Sequence, residues 1–204
     1  MALFDRSIPI PQWPTDKEIR GVGLSDWSGY AYPISCKLSY TNTFLHAEPK
    51  LDITNVPAYV NGVFDFLLST EVFEHTPPPR ESAFAGARRL LKPGGVLVLT
   101  VPTTNNADTI EHFPDLFDYQ ITVENGKKVL TNKTRDGRRQ VFTDLKFHGG
   151  DGATLEMRVF CRSDLTKLLS TNGFAEIEFM EADRPEFGIY LKVPWSLPVV
   201  ARAA

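Results

Sequence analysis

Histidines are the side chains of this chain best suited to proton transfer. His75 and His112 each follow a predicted strand, and His148 precedes a predicted glycine-rich turn. An imidazole has an unperturbed pKa of about 6.5, so it can take a proton from a substrate near neutral pH. We take His75 and His112 as the candidate catalytic bases. For each of them the alternative is a packed or hydrogen-bonded loop residue.

The segment that positions His75 is residues 64–102, which reads FDFLLSTEVFEHTPPPRESAFAGARRLLKPGGVLVLTVP. An apolar run, a polar turn, an amphipathic segment, a glycine stop and a second apolar run predict a strand, a helix and a parallel strand. This unit is half of a doubly wound α/β sheet. Ligands of such sheets bind beyond the carboxyl ends of the strands, so residues 69–75 and 101–105 are expected to line a pocket.

Weaker patterns predict the remaining elements of the sheet. Ser163 is placed to cap a helix, and Asn172-Gly173 is placed to end it. The elements expected outside the central unit are a strand over residues 19–24, a helix over 27–38, a helix over 164–170, a strand over 174–180 and an antiparallel partner strand over 197–201.

Residues 103–152 are polar and rich in turn residues. Asn125-Gly126 lies between two alternating runs, which is a strong hairpin signal, and Asp136-Gly137 precedes a third run. A three-stranded meander is expected, inserted over the carboxyl edge of the sheet as a lid or substrate wall; a purely structural flap is the alternative. The turn at residues 149–152 could hold an anion or act as a hinge, but it lacks the Lys-Ser/Thr of a P-loop.

Size and composition exclude several classes of protein. A chain of 204 residues, 42% of them hydrophobic, is expected to form a single domain over residues 1–204. The 22 basic and 25 acidic residues leave a net charge of -3, which argues against a nucleic-acid partner. Cys36 and Cys161 lack the spacing of a disulfide framework or a metal site. The chain shows neither a membrane-spanning run nor a signal peptide, so a soluble cytoplasmic protein is expected.

Residues 64–102 resemble class I S-adenosylmethionine-dependent methyltransferases of the small-molecule, type 11-like group. In that family strand four ends in a turn similar to VFEH at residues 72–75, and a sequence similar to LLKPGG at residues 90–95 precedes strand five. Residues 158–174 look like the last helix of the family and the entry to its final hairpin. The resemblance implies a Rossmann-like sheet, mostly parallel with an antiparallel C-terminal hairpin, and S-adenosylmethionine as the cofactor.

Part of the family's cofactor pattern is missing or degenerate here. The family uses a glycine-rich loop after strand one, an acidic residue after strand two and an aspartate after strand three. Gly21-Val22-Gly23 is the sole candidate for the glycine-rich loop. The spacing from Asp26 to Asp52 predicts that the strand at Ile19 is strand two and that Asp52 closes strand three. Either the first unit is lost or truncated, or residues 19–23 take its place.

The resemblance implies a set of cofactor contacts at the strand ends. Asp26 would accept hydrogen bonds from the ribose hydroxyls and Asp52 from the adenine amino group. The alternatives are a helix cap for Asp26 and an aspartate that only ends a strand for Asp52. We expect three turns to converge on one crevice, with the contacts Gly21, Gly23, Asp26, Asp52, Ile53, Ser69, Thr70 and Glu71.

The resemblance implies two possible functions. The first is an enzyme that transfers a methyl group from S-adenosylmethionine to a small molecule, such as a saccharide or another metabolite, by direct in-line attack. The second is a methyltransferase-like domain that has lost cofactor binding and acts as a binding or partner module. A nicotinamide enzyme is disfavoured because no strand is followed by GxGxxG. The sequence leaves the methyl acceptor and the oligomeric state open.

Overall fold

The computed structural model describes residues 3–4, 7–148, 154–191 and 195–204. The turn predicted at residues 149–152 lies outside them. The helices are α1 (Ser28–Lys37), α2 (Glu81–Leu90) and α3 (Arg162–Thr171). The strands are β1 (Asp16–Leu24), β2 (Leu38–Thr43), β3 (Phe64–Thr70), β4 (Leu91–Thr100), β5 (Thr103–Thr104), β6 (Ile110–Glu111), β7 (Asp118–Glu124), β8 (Lys127–Lys133), β9 (Arg139–Phe142), β10 (Phe147–His148), β11 (Thr154–Leu155), β12 (Arg158–Cys161), β13 (Phe174–Phe179) and β14 (Val199–Ala203). Within these ranges, no helix has the length and hydropathy needed to cross a bilayer.

One six-stranded sheet forms the centre of the fold, in the order β13-β14-β4-β3-β1-β2. β1 pairs in parallel with β2 and β3, and β3 pairs in parallel with β4. β14 runs antiparallel to both β4 and β13. The predicted α/β sheet, mostly parallel with an antiparallel C-terminal hairpin, is therefore confirmed.

The pairing of β1 corrects the strand numbering expected from the sequence. In doubly wound sheets of order 3-2-1-4-5, the first strand lies between the second and the fourth. β1 lies between β2 and β3, with Leu24 opposite both Thr43 and Ser69, so it occupies the position of strand one. The expectation that Ile19 belongs to strand two and that Asp52 closes strand three is wrong, because β2 holds the second position and Asp52 lies in a turn. Residues 19–23 thus take the place of the first strand.

The main core anchors the turn that follows β3. Phe73 in this turn is fully buried, and its ring meets Phe84 of α2 edge to face at 5.0 Å between centroids. Phe84 makes a similar contact with Phe160 of β12 at 6.0 Å. Burial of each large apolar side chain contributes about 1.5–3 kcal/mol. The residues next to Phe73 in the chain are therefore held in a fixed position.

The predicted meander is the three-stranded antiparallel sheet β7-β8-β9. Asn125 and Gly126 connect β7 to β8 with φ of 51° and 76°, which is the left-handed geometry of a tight hairpin. The meander has a core of its own, formed by Phe113, Leu116, Leu130, Leu155 and Met157. Its packing thus includes the segment at residues 155–157.

Several element boundaries differ from those predicted by one to three residues, and two of the differences concern the signals expected to end or begin a helix. α3 begins at Arg162, and its N-cap is Cys161 rather than Ser163, because the Cys161 sulfur accepts from the Asp164 N–H at 3.4 Å. The Lys-Pro-Gly-Gly run expected to separate a helix from a strand lies inside β4, with Gly94 at a left-handed φ of 76°.

Candidate active site

The carboxyl ends of β1, β2 and β3 meet at one edge of the sheet, which we call the ligand edge. Leu24 at the end of β1 lies opposite Thr43 of β2 and Ser69 of β3. Thr70 Oγ1 lies 3.2 Å from Asp26 Oδ1. The turns after β1 and β3 therefore lie together, and the convergence expected with the third turn, at Asp52, stays a prediction.

The carboxylate of Asp26 is 5% exposed and is engaged by the chain itself. Its Oδ1 accepts from the Tyr30 hydroxyl at 2.7 Å and from Thr70, and its Oδ2 accepts from the Tyr40 hydroxyl. Asn42 holds the backbone of Asp26 from both sides, since its Oδ1 accepts from the N–H at 2.9 Å and its Nδ2 donates to the carbonyl at 2.8 Å. We call these five residues the Asp26 network.

Burial governs protonation within the Asp26 network. Desolvation raises the pKa of Asp26 above its ordinary value, although hydrogen bonds from Tyr40, Tyr30 and Thr70 lower it. Desolvation and the neighbouring carboxylate raise the pKa of Tyr30 to about 12 and also raise the pKa of Tyr40. Both tyrosines therefore keep their hydroxyl protons at neutral pH and donate them to Asp26.

The two glycines expected to cradle the cofactor make room for aromatic side chains instead. A Cβ on Gly21 would lie 2.0 Å from the Phe66 ring. A Cβ on Gly23 would lie 1.9 Å from the Tyr40 hydroxyl and 2.1 Å from Asp26 Oδ2. Gly21 also lies inside β1 rather than at its carboxyl end. Side chains of the chain therefore occupy the space beside both glycines, and the cofactor contacts expected of Gly21 and Gly23 stay predictions.

Asp52 and Ile53 lie in a turn between β2 and β3. Asp52 is exposed, and its Oδ1 accepts from the N–H and the hydroxyl of Thr54 at 2.8 and 2.7 Å. Ile53 is buried in the main core, and its carbonyl oxygen would lie 1.8 Å from a Cβ on Gly86. The cofactor contacts expected of Asp52 and Ile53 stay predictions.

The end of β3 presents polar groups at the ligand edge. Ser69 is fully buried, and its hydroxyl has no hydrogen-bond partner among the residues that the structure describes. Glu71 has a left-handed φ of 54°, and its Oε1 accepts from the Ser196 hydroxyl at 2.5 Å. An orphaned hydroxyl beside a strained turn fits the polar end of a ligand, and S-adenosylmethionine is the ligand expected at this position.

His75 lies just beyond this edge, with both ring nitrogens directed at protein groups. Its Nδ1 is 2.9 Å from the Leu155 carbonyl, so Nδ1 carries a proton, and its Nε2 is 3.5 Å from Glu74 Oε1. Glu74 is fully buried, and desolvation raises its pKa to about 9, with further contributions from Glu71 and Glu156. Glu74 therefore holds a proton at neutral pH.

His112 forms a close pair with Glu156. His112 Nε2 lies 2.7 Å from Glu156 Oε1, and the side chains are 19% and 8% exposed. Since a carboxylate only accepts, Nε2 carries the proton and Nδ1 keeps its lone pair. Nδ1 makes no hydrogen bond within the described ranges. The pair therefore has the arrangement of a general base oriented by a carboxylate.

The segment at residues 155–157 holds both candidate bases. Its first carbonyl bonds to His75, its central residue Glu156 bonds to His112, and its last N–H donates to the Glu74 carbonyl at 2.8 Å. Sequence reasoning missed Glu156. The one signal available was an acidic residue between two apolar ones, which is common in half-buried strands.

Arg158 is 1% exposed and joins the two parts of the site. Its Nε lies 3.1 Å from both carboxylate oxygens of Glu111, and its Nη1 donates to the carbonyls of Thr76 and Phe73 at 2.8 and 3.3 Å. Desolvation lowers the pKa of Arg158, while Glu111 raises it. The guanidinium thereby ties the turn after β3 to the strand that precedes His112.

Residues 38–99 match the protein family described as a methyltransferase domain. Over 111 residues the chain is 31% identical to the lovastatin nonaketide synthase mokA of Monascus pilosus. That match covers 52% of this chain and 4% of the synthase, so the chain spans a small fraction of this relative.

Two solved structures are similar to almost the whole chain. The S-adenosylmethionine-dependent methyltransferase from Mesorhizobium loti is 18% identical with a TM-score of 0.52, and the likeness covers 93% of each chain. The CurJ carbon methyltransferase is 18% identical with a TM-score of 0.57, over 95% of this chain and 50% of the other. The matched segment, the strand order and these structures place the chain among proteins of the class I S-adenosylmethionine-dependent methyltransferase fold.

Proposed function

We propose that this protein transfers a methyl group from S-adenosylmethionine to a small molecule by direct in-line attack, and that His112 removes the proton that the acceptor loses. The observation that carries the proposal is the His112–Glu156 pair, which Met157 joins to the turn after β3 in a methyltransferase fold. When bound, the cofactor supplies an electrophilic methyl group on a sulfonium centre.

The cofactor residues that we propose come from the end of β3, which belongs to the ligand edge, and from the segment between β2 and β3. Ser69 contributes its hydroxyl, and Thr70 and Glu71 contribute backbone groups at the end of β3. Asp52 contributes an exposed carboxylate on the segment between β2 and β3. Their role is to bind and orient, which accounts for most of the rate in a transfer that needs little covalent machinery.

The pair of His112 and Glu156 supplies the acid–base chemistry. The Nε2–H bond to Glu156 fixes the ring, so that Nδ1 is available to take a proton from the acceptor. The negative charge of Glu156 then stabilises the imidazolium that forms. A positioned base of this kind contributes about 10²–10⁴-fold in rate. His75 is the second candidate, because both of its nitrogens already face protein groups.

Two relatives support an acceptor that must lose a proton. One is a nonaketide synthase and the other a carbon methyltransferase, and a carbon nucleophile has to be deprotonated before it attacks a methyl group. We therefore propose two classes of acceptor. The first is a carbon atom that carries an acidic hydrogen, and the second is a saccharide hydroxyl. The meander β7-β8-β9 is proposed to act as a lid over the acceptor.

Calorimetric titration with S-adenosylmethionine and S-adenosylhomocysteine tests the proposal first. Binding of both, followed by methyl transfer to a panel of β-keto thioesters and saccharides, is the expected result. No binding at millimolar ligand overturns it. His112→Ala should lower kcat at least about 100-fold without changing the cofactor Kd, and added imidazole should restore part of the rate. Unchanged turnover would remove His112 from the mechanism.

One observation favours a second function. The Asp26 network fills the position where the family has its glycine-rich loop. A domain that has lost cofactor binding and serves as a binding or partner module would tolerate such a change. A folded protein that binds neither S-adenosylmethionine nor S-adenosylhomocysteine would support this second function.

A further inference from the structure

We infer that Asp26 is a positioning residue, which shapes the turn after β1 into a cofactor-binding loop that does not need a glycine-rich sequence. The inference rests on the proposed function. It replaces the expectation that the Asp26 carboxylate itself binds the ribose, because both of its oxygens accept hydrogen bonds from the chain's own side chains.

The turn has a backbone conformation that the residues of β2 hold in place. Ser25 has a left-handed φ of 56°, which residues with a side chain rarely adopt. Its N–H donates to the Thr43 carbonyl at 2.7 Å, and the Thr43 hydroxyl donates back to the Gly23 carbonyl at 2.7 Å. The bend after β1 is thus fixed by two hydrogen bonds to Thr43 of β2, one to its backbone and one from its side chain.

The Asp26 carboxylate joins this bend to three different elements. Tyr30 lies in the first turn of α1, Tyr40 lies on β2, and Thr70 ends β3. The Tyr30 and Tyr40 hydroxyls donate to Asp26, and Thr70 Oγ1 lies 3.2 Å from Asp26 Oδ1 and 2.8 Å from the Tyr30 hydroxyl. Stacking of Tyr40 on Phe66, with ring planes 5° apart at 5.8 Å, holds the Tyr40 hydroxyl in place. The position of α1 relative to the ligand edge therefore depends on Asp26.

Trp27 is the exposed aromatic side chain that follows this bend. It is 72% exposed although it directly follows the buried Asp26. Its indole lies over Gly29, where a Cβ would come within 2.3 Å of the ring, and it meets the Tyr30 ring edge to face at 6.3 Å. An indole held in this way offers a rigid, flat surface to a ligand. Asp26 acts through this turn rather than by direct contact.

Asp26→Asn is the variant that tests the inference. The asparagine keeps the shape of the side chain but has one acceptor oxygen, so it cannot accept from both Tyr30 and Tyr40. We expect the Kd for S-adenosylhomocysteine to rise about tenfold or more, as for the loss of a hydrogen bond to a charged group. At saturating cofactor, kcat should stay within about threefold, because His112 and Glu156 are untouched.

Two further variants make the outcome decisive. Tyr30→Phe removes one hydroxyl at a half-buried position and should raise the same Kd in the same direction, and it decides the question if Asp26→Asn does not fold. Phe174→Leu perturbs the core at the far side of the sheet, on β13, and should lower stability without changing the Kd.

The results separate this inference from the proposed function. If the wild-type protein binds S-adenosylhomocysteine, and Asp26→Asn and Tyr30→Phe bind it equally well, Asp26 is merely structural and the inference is overturned alone. If the wild-type protein does not bind S-adenosylhomocysteine, the proposed function fails and the inference fails with it.

Discussion

His112 Nε2 lies 2.7 Å from Glu156 Oε1, although 44 positions separate the two residues in the chain. Replacing Glu156 by Gln removes the negative charge that stabilises a protonated His112. The amide can also face His112 Nε2 with its NH2 donor or with its carbonyl acceptor, so it no longer fixes which ring nitrogen carries the proton. We expect kcat to fall about 10- to 100-fold with an unchanged Kd for S-adenosylhomocysteine. Steady-state kinetics with parallel calorimetry measures both. A kcat equal to that of the wild type would show that Glu156 does not assist the base.

Glu74→Gln should flatten the pH dependence of stability. Folded Glu74 keeps its proton up to about pH 9, whereas an unfolded glutamate loses it near its ordinary pKa of 4.5. The contribution of Glu74 to the free energy of unfolding is therefore fully present below the unfolded pKa of 4.5, and it is lost as the pH rises through the folded pKa of about 9. The slope is at most about 1.4 kcal/mol per pH unit.

Urea unfolding of wild type and Glu74→Gln between about pH 5 and about pH 9 measures this slope. A glutamine carries no titrating proton, so its curve should lack that decline. Glu124→Gln, on the exposed meander strand β7, is the matched control and should keep the wild-type slope. Parallel curves for wild type and Glu74→Gln would contradict the raised pKa.

Arg158→Met should destabilise the fold by about 3 kcal/mol, because it leaves Glu111 and two buried carbonyls without their donor. Arg158→Lys should recover little, since one ammonium cannot reach Glu111 and both carbonyls at once. The double variant Arg158→Met/Glu111→Gln should be more stable than Arg158→Met. Urea unfolding provides the comparison, and a double variant no more stable than the single one would argue against the ion pair.

Gly86→Ala should be destabilising, although alanine favours a helix interior over glycine by about 1 kcal/mol. The added Cβ would overlap the Ile53 carbonyl, and a backbone atom in a packed turn cannot rotate away. We expect a net loss of about 2 kcal/mol and a weaker affinity for S-adenosylhomocysteine, because the turn that carries Asp52 must shift. Arg89→Ala, exposed on the same helix, is the control. A more stable Gly86→Ala protein would contradict the contact.

Local patterns were sufficient to predict the elements around β3, α2 and β4. An apolar run, an amphipathic stripe and a second apolar run each depend on neighbours within one or two turns of chain, so the order of residue types determines them. The same holds for the hairpin at Asn125-Gly126, where positive φ angles select those residues. The choice of the two candidate bases also came from the sequence, since strand ends indicate which loops face a ligand, and that choice stays a prediction.

The partners of the site residues were decided by tertiary structure alone. Asp26 meets Tyr40 and Thr70 because β1 pairs with both β2 and β3. The spacing of residues along the chain could not decide whether β1 takes the first or the second strand position of the sheet. Glu156 reaches His112 across the packing of the meander against residues 155–157. Such contacts depend on the burial of apolar surface between segments that are far apart in the chain. That burial is complete only once the whole core has formed.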